Sequence, residues 1–215
     1  ERFGGGNFIH LEEGSSPTSA RMMQGTRFFR EVESNCWDAA LRKSEYDALE
    51  TQVQVVCTIP VMFNYDAPID QSLQIAQFLN DHIAELVQAD PRHYVGLASV
   101  PMQDTDASIR ELTRCKEMGM RGVQIGSNIN DLNLSEERFF PFFEACSTLG
   151  MAVMIHPWDM MGKAQMEKYW LPWLVGMPAE TSRAASSLIF SGTMERLPNL
   201  RVMFSHAGGS FLTTL

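Results

Sequence analysis

Ala152-Val153-Met154-Ile155-His156-Pro157-Trp158-Asp159 is an apolar run of strand character that ends in a histidine. A second run of the same form reads Arg201-Val202-Met203-Phe204-Ser205-His206-Ala207-Gly208-Gly209. In parallel α/β folds, residues at the carboxyl ends of the strands converge on a ligand, whereas the strand bodies pack in the core. We therefore expect His156 and His206 to share one rim of a sheet, where an imidazole can bind a metal ion or transfer a proton.

Short β-branched runs alternate with amphipathic helical segments from residue 52 onward, a pattern typical of successive βα units around a parallel sheet. The runs predict strands at residues 52–59, 94–100, 122–125, 152–155 and 201–204. No G-x-G-x-x-G follows a strand, and two different strands end in histidine, so an open dinucleotide-binding sheet is disfavoured. We predict an α/β fold, a (β/α)8 TIM barrel that is incomplete, with about five of its eight strands present.

The pattern divides the chain into two predicted regions. Residues 52–215 form the partial barrel, whereas residues 1–51 are predicted to be a leader or insertion near the barrel mouth. Within this leader, the glycine, serine and proline residues at 14–17 predict a loop, and a helix is predicted at residues 37–49.

Charge and cysteine content exclude several classes of partner. The net charge of −9 over 215 residues argues against nucleic acid and anionic membranes, because phosphate groups would be repelled. No run approaches the ~20 apolar residues of a membrane span, and no signal segment opens the sequence. The four cysteines form no C-x-x-C pair, which indicates neither a zinc knuckle nor a disulfide framework. We therefore expect a reduced protein of the cytosol (cytoplasmic).

Two aromatic-rich stretches are further candidates for ligand contacts. Tyr169-Trp170-Leu171-Pro172-Trp173 follows the strand of His156, where aromatic residues interrupted by proline favour a pocket wall or an interface. Arg27 and Arg30 flank two phenylalanines, and a guanidinium beside aromatic rings is a good clamp for a carboxylate. A surface salt bridge to a neighbouring glutamate is the ordinary alternative. The three remaining histidines are predicted at the surface: His10, His82 and His93.

Several motifs together carry a resemblance to a known family. They are Asn35-Cys36-Trp37-Asp38, Thr58-Ile59-Pro60-Val61-Met62-Phe63, Gly122-Val123-Gln124-Ile125-Gly126, His156-Pro157-Trp158-Asp159-Met160 and the fourteen-residue block Lys168-Tyr169-Trp170-Leu171-Pro172-Trp173-Leu174-Val175-Gly176-Met177-Pro178-Ala179-Glu180-Thr181. This set closely resembles zinc-dependent decarboxylases of the amidohydrolase superfamily, and the resemblance runs from the leader to the last residue.

The resemblance implies a (β/α)8 barrel and a specific reaction. That reaction is the non-oxidative decarboxylation of 2-amino-3-carboxymuconate 6-semialdehyde to 2-aminomuconate 6-semialdehyde, which diverts flux from quinolinate in tryptophan and kynurenine catabolism. The resemblance also implies Zn²⁺ as cofactor, with His156 as a metal ligand and His206 as the catalytic acid/base beside the metal. Arg30 and Trp173 fall on positions that contact the substrate, a small-molecule carboxylate. The complete protein would be a homodimer.

Other residues of the family's site have no counterpart in this sequence. They are a His-x-His on the first strand, a metal-binding aspartate on the eighth, and an arginine donated by the neighbouring subunit. The chain begins at Glu1 and stops at Leu215, nine residues after His206. We therefore expect a fragment lacking both ends, with weak or absent metal binding and negligible activity on its own.

Two alternatives remain open. One is a related amidohydrolase-type decarboxylase or hydrolase of an aromatic acid, which would share the two histidines without needing Trp173 or Arg30. The other is an inactive truncated subunit that pairs with the complete one.

Overall fold

The computed structural model describes residues 8–213, and these residues divide into two compact units. The smaller unit comprises the described residues up to Val55 together with Leu86–Val95. The larger unit comprises Val56–Glu85 together with the described residues from Gly96 onward, and it contains both candidate histidines. Within residues 8–213, no helix is long and apolar enough to cross a lipid bilayer.

The smaller unit is built on a three-stranded antiparallel sheet in the order β1-β2-β3. The strands are β1 at Ile9–Glu13, β2 at Ser19–Gln24 and β3 at Arg27–Glu33. Helix α1 follows at Ala39–Ala48, and the Asp38 side chain caps it by accepting hydrogen bonds from two backbone N–H groups of the first turn.

The sequence predicts this helix, at residues 37–49, but not the three strands. The loop predicted at residues 14–17 does connect β1 to β2. Strands β1 and β3 are largely exposed. The alternation of apolar and polar residues that marks a half-buried strand is absent from β3 and covers only four residues of β1, Ile9 to Glu12. Only β2 buries apolar side chains, namely Ala20, Met22 and Met23.

Five further strands form one sheet in the order β10-β9-β6-β5-β4, and each overlaps a strand that the sequence predicts. They are β4 at Gln54–Val56, β5 at Tyr94–Ser99, β6 at Gly122–Gly126, β9 at Ala152–His156 and β10 at Val202–Phe204. A short antiparallel hairpin, β7 at Asn128–Ile129 and β8 at Leu132–Asn133, follows β6. Strand β6 pairs in parallel with β5 and β9, and β9 pairs in parallel with β10.

A helical segment separates each consecutive pair of these strands. The helices are α2 at Ile69–Ala89, α3 at Thr105–Glu117, α4 at Phe140–Leu149, α5 at Met177–Phe190 and the short α6 at Thr193–Arg196. Parallel strands that lie beside their chain neighbours and are joined by helices form a (β/α)8 barrel. The predicted fold class is therefore confirmed, with five strands of the barrel present.

The core of the larger unit is formed by the central strands and by aromatic side chains before and within α4. All five residues of β6 are buried, as expected for a strand covered on both faces. Val153 and Ile155 on β9 have no exposed surface, and neither have Phe142 and Phe143 on α4. Gly150 ends α4 in a left-handed conformation with φ of 63°, which glycine adopts readily at the end of a helix.

Replacing Phe143 with alanine tests this core. We expect Phe143→Ala to lower the free energy of unfolding by about 3–5 kcal/mol, because the change removes a buried ring and leaves a cavity. The matched control is Phe190→Ala, the same change on a side chain that is 74% exposed. Urea denaturation followed by circular dichroism compares the two variants, and equal losses of stability would contradict this packing.

The Glu31 carboxyl makes the stability of the smaller unit depend on pH in the acid range. Its carboxylate accepts hydrogen bonds of 2.6 Å from Oγ of Ser15, Oγ of Ser19 and the backbone N–H of Ser15. These bonds lower the pKa of Glu31 from 4.5 to about 2. A carboxyl group whose pKa is lower in the folded protein than in the unfolded protein stabilises the fold at pH values above its unfolded pKa. This contribution to stability is lost as the pH falls from 4.5 towards 2.

We therefore expect the Glu31 carboxyl to titrate near pH 2 in the folded protein and near 4.5 in denaturant, as measured by ¹³C NMR. Glu31→Gln removes the group and should abolish this part of the acid dependence of stability. Titration near 4.5 in the folded state would show that the serine contacts do not form.

Candidate active site

The two candidate histidines lie at the carboxyl ends of adjacent strands. His156 is the last residue of β9, and His206 follows the end of β10 after a single intervening residue. The parallel register aligns Phe204 with Ile155, and the backbone N–H of Ser205 continues the pairing by donating to the Ile155 carbonyl at 2.9 Å. This register brings the two imidazoles together, with their Nε2 atoms 3.2 Å apart.

The hydrogen bonds of His156 indicate which ring nitrogen carries its proton. Nδ1 lies 2.9 Å from the Pro157 carbonyl oxygen, which can only accept, so Nδ1 is the donor. Burial lowers the pKa of His156, and the neighbouring His206 lowers it further. The neutral ring therefore keeps a lone pair on Nε2, and Nε2 of His206 donates to it.

His206 is held in a tight turn. It is exposed, and both His206 and Ala207 have left-handed backbone conformations, with φ of 54° and 55°. Such conformations cost about 1–3 kcal/mol for residues other than glycine, and they cluster at functional sites. A Cβ at Gly209 would collide with the Pro178 carbonyl, so this position also requires glycine. The turn thus packs against the start of α5 while His206 faces outward.

An aromatic cluster contacts Gly126 at the end of β6, the residue that pairs with His156. Tyr65 is buried, and its hydroxyl oxygen accepts a hydrogen bond of 3.0 Å from the backbone N–H of Gly126, while burial raises its pKa. Its ring stacks on Phe63 at 5.3 Å, and Phe63 meets the ring of Trp158 edge-on. The sequence does not single out Tyr65, because it lies in a loop outside every predicted element.

Trp173 and Arg30 lie in different units of the chain. Trp173 belongs to a π-helical turn, Pro172–Gly176, just before α5; it is 48% exposed and packs on Trp170 with ring centroids 4.9 Å apart. Arg30 is exposed on β3 of the smaller unit, opposite Met22. The assignment of both residues to substrate contact stays a prediction.

The other three histidines are not part of the pair. His10 and His82 are exposed, as the sequence predicts. His93 is only partly exposed, and its Nδ1 contacts the Asp90 carboxylate at 2.7 Å.

The imidazole of His156 fits one ligand position of a metal site. The Nδ1 of His156 donates to a carbonyl, which is general for metal-binding histidines, and its Nε2 lone pair accepts from His206 in the absence of an ion. Catalytic zinc takes three protein ligands. Among residues 8–213, no group of three or more histidine, cysteine, aspartate and glutamate side chains is placed to hold an ion. These residues therefore supply only part of a complete ligand set.

Two relatives resemble the whole of this chain in sequence. The chain is 51% identical over 216 residues to the 2-amino-3-carboxymuconate-6-semialdehyde decarboxylase of Dictyostelium discoideum, covering 100% of this chain and 60% of that protein. It is 30% identical to the Caenorhabditis elegans enzyme of the same name, covering 98% of this chain and 65% of that protein. The chain thus spans less than two thirds of the length of either relative.

A solved structure resembles the fold. The 5-carboxyvanillate decarboxylase of Novosphingobium aromaticivorans, crystallised with bound manganese and a nitrobenzoic acid, superimposes with a TM-score of 0.74 and 28% sequence identity, covering 81% of this chain and 52% of that one. The family model described as Amidohydrolase matches residues 27–213, which is most of the sequence. The chain therefore belongs to the amidohydrolase family.

Proposed function

We propose that this chain is part of a metal-dependent carboxy-lyase. The proposed reaction is the non-oxidative decarboxylation of 2-amino-3-carboxymuconate 6-semialdehyde to 2-aminomuconate 6-semialdehyde, in the tryptophan and kynurenine pathway. The observation that carries the proposal is the contact between His156 and His206, whose Nε2 atoms meet at 3.2 Å on the ends of adjacent strands. The relative from Dictyostelium discoideum, 51% identical and named for this reaction, supports the choice of substrate.

Each imidazole suits a different role. Nε2 of His156 is the ring nitrogen that carries the lone pair, so His156 would hold the metal in place of the hydrogen bond that it accepts from His206. A bound divalent ion would supply Lewis-acid chemistry. His206 is exposed at the same rim and can exchange protons with solvent. Loss of CO2 leaves an electron pair on the substrate carbon, and His206 would deliver the proton that this carbon takes up.

Zinc is the metal that we propose. Imidazole nitrogen is a good ligand for Zn²⁺ but also for other divalent ions, and the related 5-carboxyvanillate decarboxylase was crystallised with manganese. Since residues 8–213 hold no group of three ligands, we propose that further ligands complete the site in the whole protein, and that the present chain alone has negligible activity.

The remaining assignments complete the proposal. Arg30 would orient a carboxylate of the substrate through its guanidinium, and Trp173 would exclude water from one side of the pocket. We further propose that the whole protein is a cytosolic homodimer.

Two alternatives predict different outcomes. A decarboxylase or hydrolase of an aromatic acid is favoured by the likeness to 5-carboxyvanillate decarboxylase, and it would retain activity without Arg30 or Trp173. An inactive partner subunit would copurify with the complete subunit and carry no metal of its own.

Single substitutions in the whole protein separate the two histidine roles. We expect His156→Ala to lose both bound metal and activity, because it removes a ligand. We expect His206→Ala to keep the metal and to lower kcat by about 100- to 10,000-fold, the range for loss of a general acid or base. Metal content by mass spectrometry and kcat are measured for each variant.

The control for both variants is His82→Ala, which alters an exposed histidine of α2 and should leave metal content and kcat unchanged. Full metal content in His156→Ala would contradict the ligand assignment. Undiminished kcat in His206→Ala would contradict the acid/base assignment.

Substrate profiling separates the decarboxylase proposals. We expect the zinc-loaded whole protein to release CO2 from 2-amino-3-carboxymuconate 6-semialdehyde with a higher kcat/KM than from 5-carboxyvanillate. Arg30→Ala should raise KM for the preferred substrate, because a carboxylate contact is lost. Preference for the aromatic acid would favour the alternative enzyme.

A further inference from the structure

Glu180 is a buried carboxylate to which the proposed reaction assigns no role. It lies on α5 with no exposed surface, and a buried charge is tolerated only when hydrogen-bond donors surround it. Its Oε2 accepts from Oγ of Ser127 at 3.1 Å and from Nδ2 of Asn128 at 3.2 Å. Its Oε1 accepts from the backbone N–H of Met161 at 3.0 Å, and Nη1 of Arg183 lies 3.4 Å away. Each of these four contacts therefore places a donor against the carboxylate.

Three of these donors, all except Arg183, come from the two segments that border His156. Ser127 and Asn128 directly follow the end of β6, whereas Met161 lies in the loop after β9. Because β6 and β9 are paired in parallel, both segments leave the sheet at the same edge. Glu180 thus joins the ends of two neighbouring strands through one side chain.

The same segments hold the backbone turn that begins at His156. The backbone N–H of Ser127 donates to the His156 carbonyl at 2.9 Å. The backbone N–H of Trp158 donates to Oγ of Ser127 at 3.1 Å, and Nδ2 of Asn128 donates to the Trp158 carbonyl at 2.7 Å. The Pro157 carbonyl, which accepts from Nδ1 of His156, lies along the chain between these contacts to His156 and Trp158.

The Ser127 hydroxyl needs an acceptor for its proton, and the Glu180 carboxylate supplies one. This hydroxyl has one proton to donate, and two acceptors lie within reach of it: Oε2 of Glu180 at 3.1 Å and the Trp158 carbonyl at 3.3 Å. Its oxygen also accepts from the Trp158 N–H. An ionised carboxylate is the stronger of these two acceptors, so it draws that proton away from the Trp158 carbonyl. The Trp158 carbonyl is then left to the Nδ2 of Asn128, while the hydroxyl oxygen accepts from the Trp158 N–H.

We infer that Glu180 is a positioning residue for His156. Its carboxylate orients Ser127 and Asn128, these residues fix the turn at Pro157, and the Pro157 carbonyl keeps the His156 proton on Nδ1. The lone pair of Nε2 therefore points into the candidate site. The consequence for catalysis rests on the proposed function, whereas the effect on the imidazole does not.

Glu180→Gln is the sharpest test because it preserves the size of the side chain. A glutamine offers one acceptor oxygen and one NH2 group. The NH2 group would face either the Met161 N–H or the Ser127 and Asn128 donors, so a buried donor would lose its partner.

The readout is the tautomer of His156, measured by ¹⁵N NMR of its ring in the 215-residue chain without metal. The pH is kept above the ordinary histidine pKa of about 6.5, so that the ring is neutral. We expect the Nδ1–H form to predominate in the unaltered chain. In Glu180→Gln we expect the ratio of the Nδ1–H form to the Nε2–H form to fall several-fold.

The matched control is Glu111→Gln. Glu111 on α3 is also buried, at 2% exposure, but its carboxylate binds Asn80 and Arg114. This control should keep the unaltered tautomer ratio. The inference is overturned if folded Glu180→Gln keeps that ratio, or if Glu111→Gln changes it equally.

A second variant applies if Glu180→Gln does not fold. Ser127→Ala removes the hydroxyl that links Glu180 to Trp158, and it should lower the same tautomer ratio; an unchanged ratio would overturn the inference. The measurement uses neither metal nor substrate, so its outcome is independent of the proposed decarboxylase activity. In the whole protein, the matching effect of Glu180→Gln is an affinity for Zn²⁺ about 10- to 100-fold lower.

Discussion

The parallel pairing of β9 with β10 is the constraint on which the candidate site depends. Parallel strands end at the same edge of a sheet, and here the register aligns Phe204 with Ile155. His156 ends β9 and His206 lies in the turn just after β10, so this register brings their Nε2 atoms within 3.2 Å. A shift of one residue along β10 would also turn its side chains to the opposite face of the sheet.

Much of the larger unit could be predicted from the sequence because its strands are buried on both faces. Burial on both faces gives continuous apolar runs such as 122–125 and 152–155, which are easy to recognise. The exposed strands β1 and β3 give no such signal, and pairing with β2 is what defines them. Local composition therefore predicts strands that are buried in the core better than strands stabilised only by their neighbours.

The candidate site was predictable only in part, for a similar reason. Strand ends locate the two histidines, since their position depends on the strands alone. The burial of Glu180 depends on donors from Ser127 and Met161, which are distant in sequence and meet only in the folded chain. A single glutamate in a helix ordinarily indicates an exposed position. Substrate contacts by Arg30 and Trp173 rest on resemblance to the family.

The central claim is that His156 and His206 belong to one metal-dependent site. Anomalous diffraction at the zinc edge, from crystals of the whole protein grown with Zn²⁺, tests it most directly. We expect a zinc peak about 2.0–2.1 Å from Nε2 of His156, with the His206 ring beside it. Zinc bound away from both rings, or imidazoles that face apart, would contradict it.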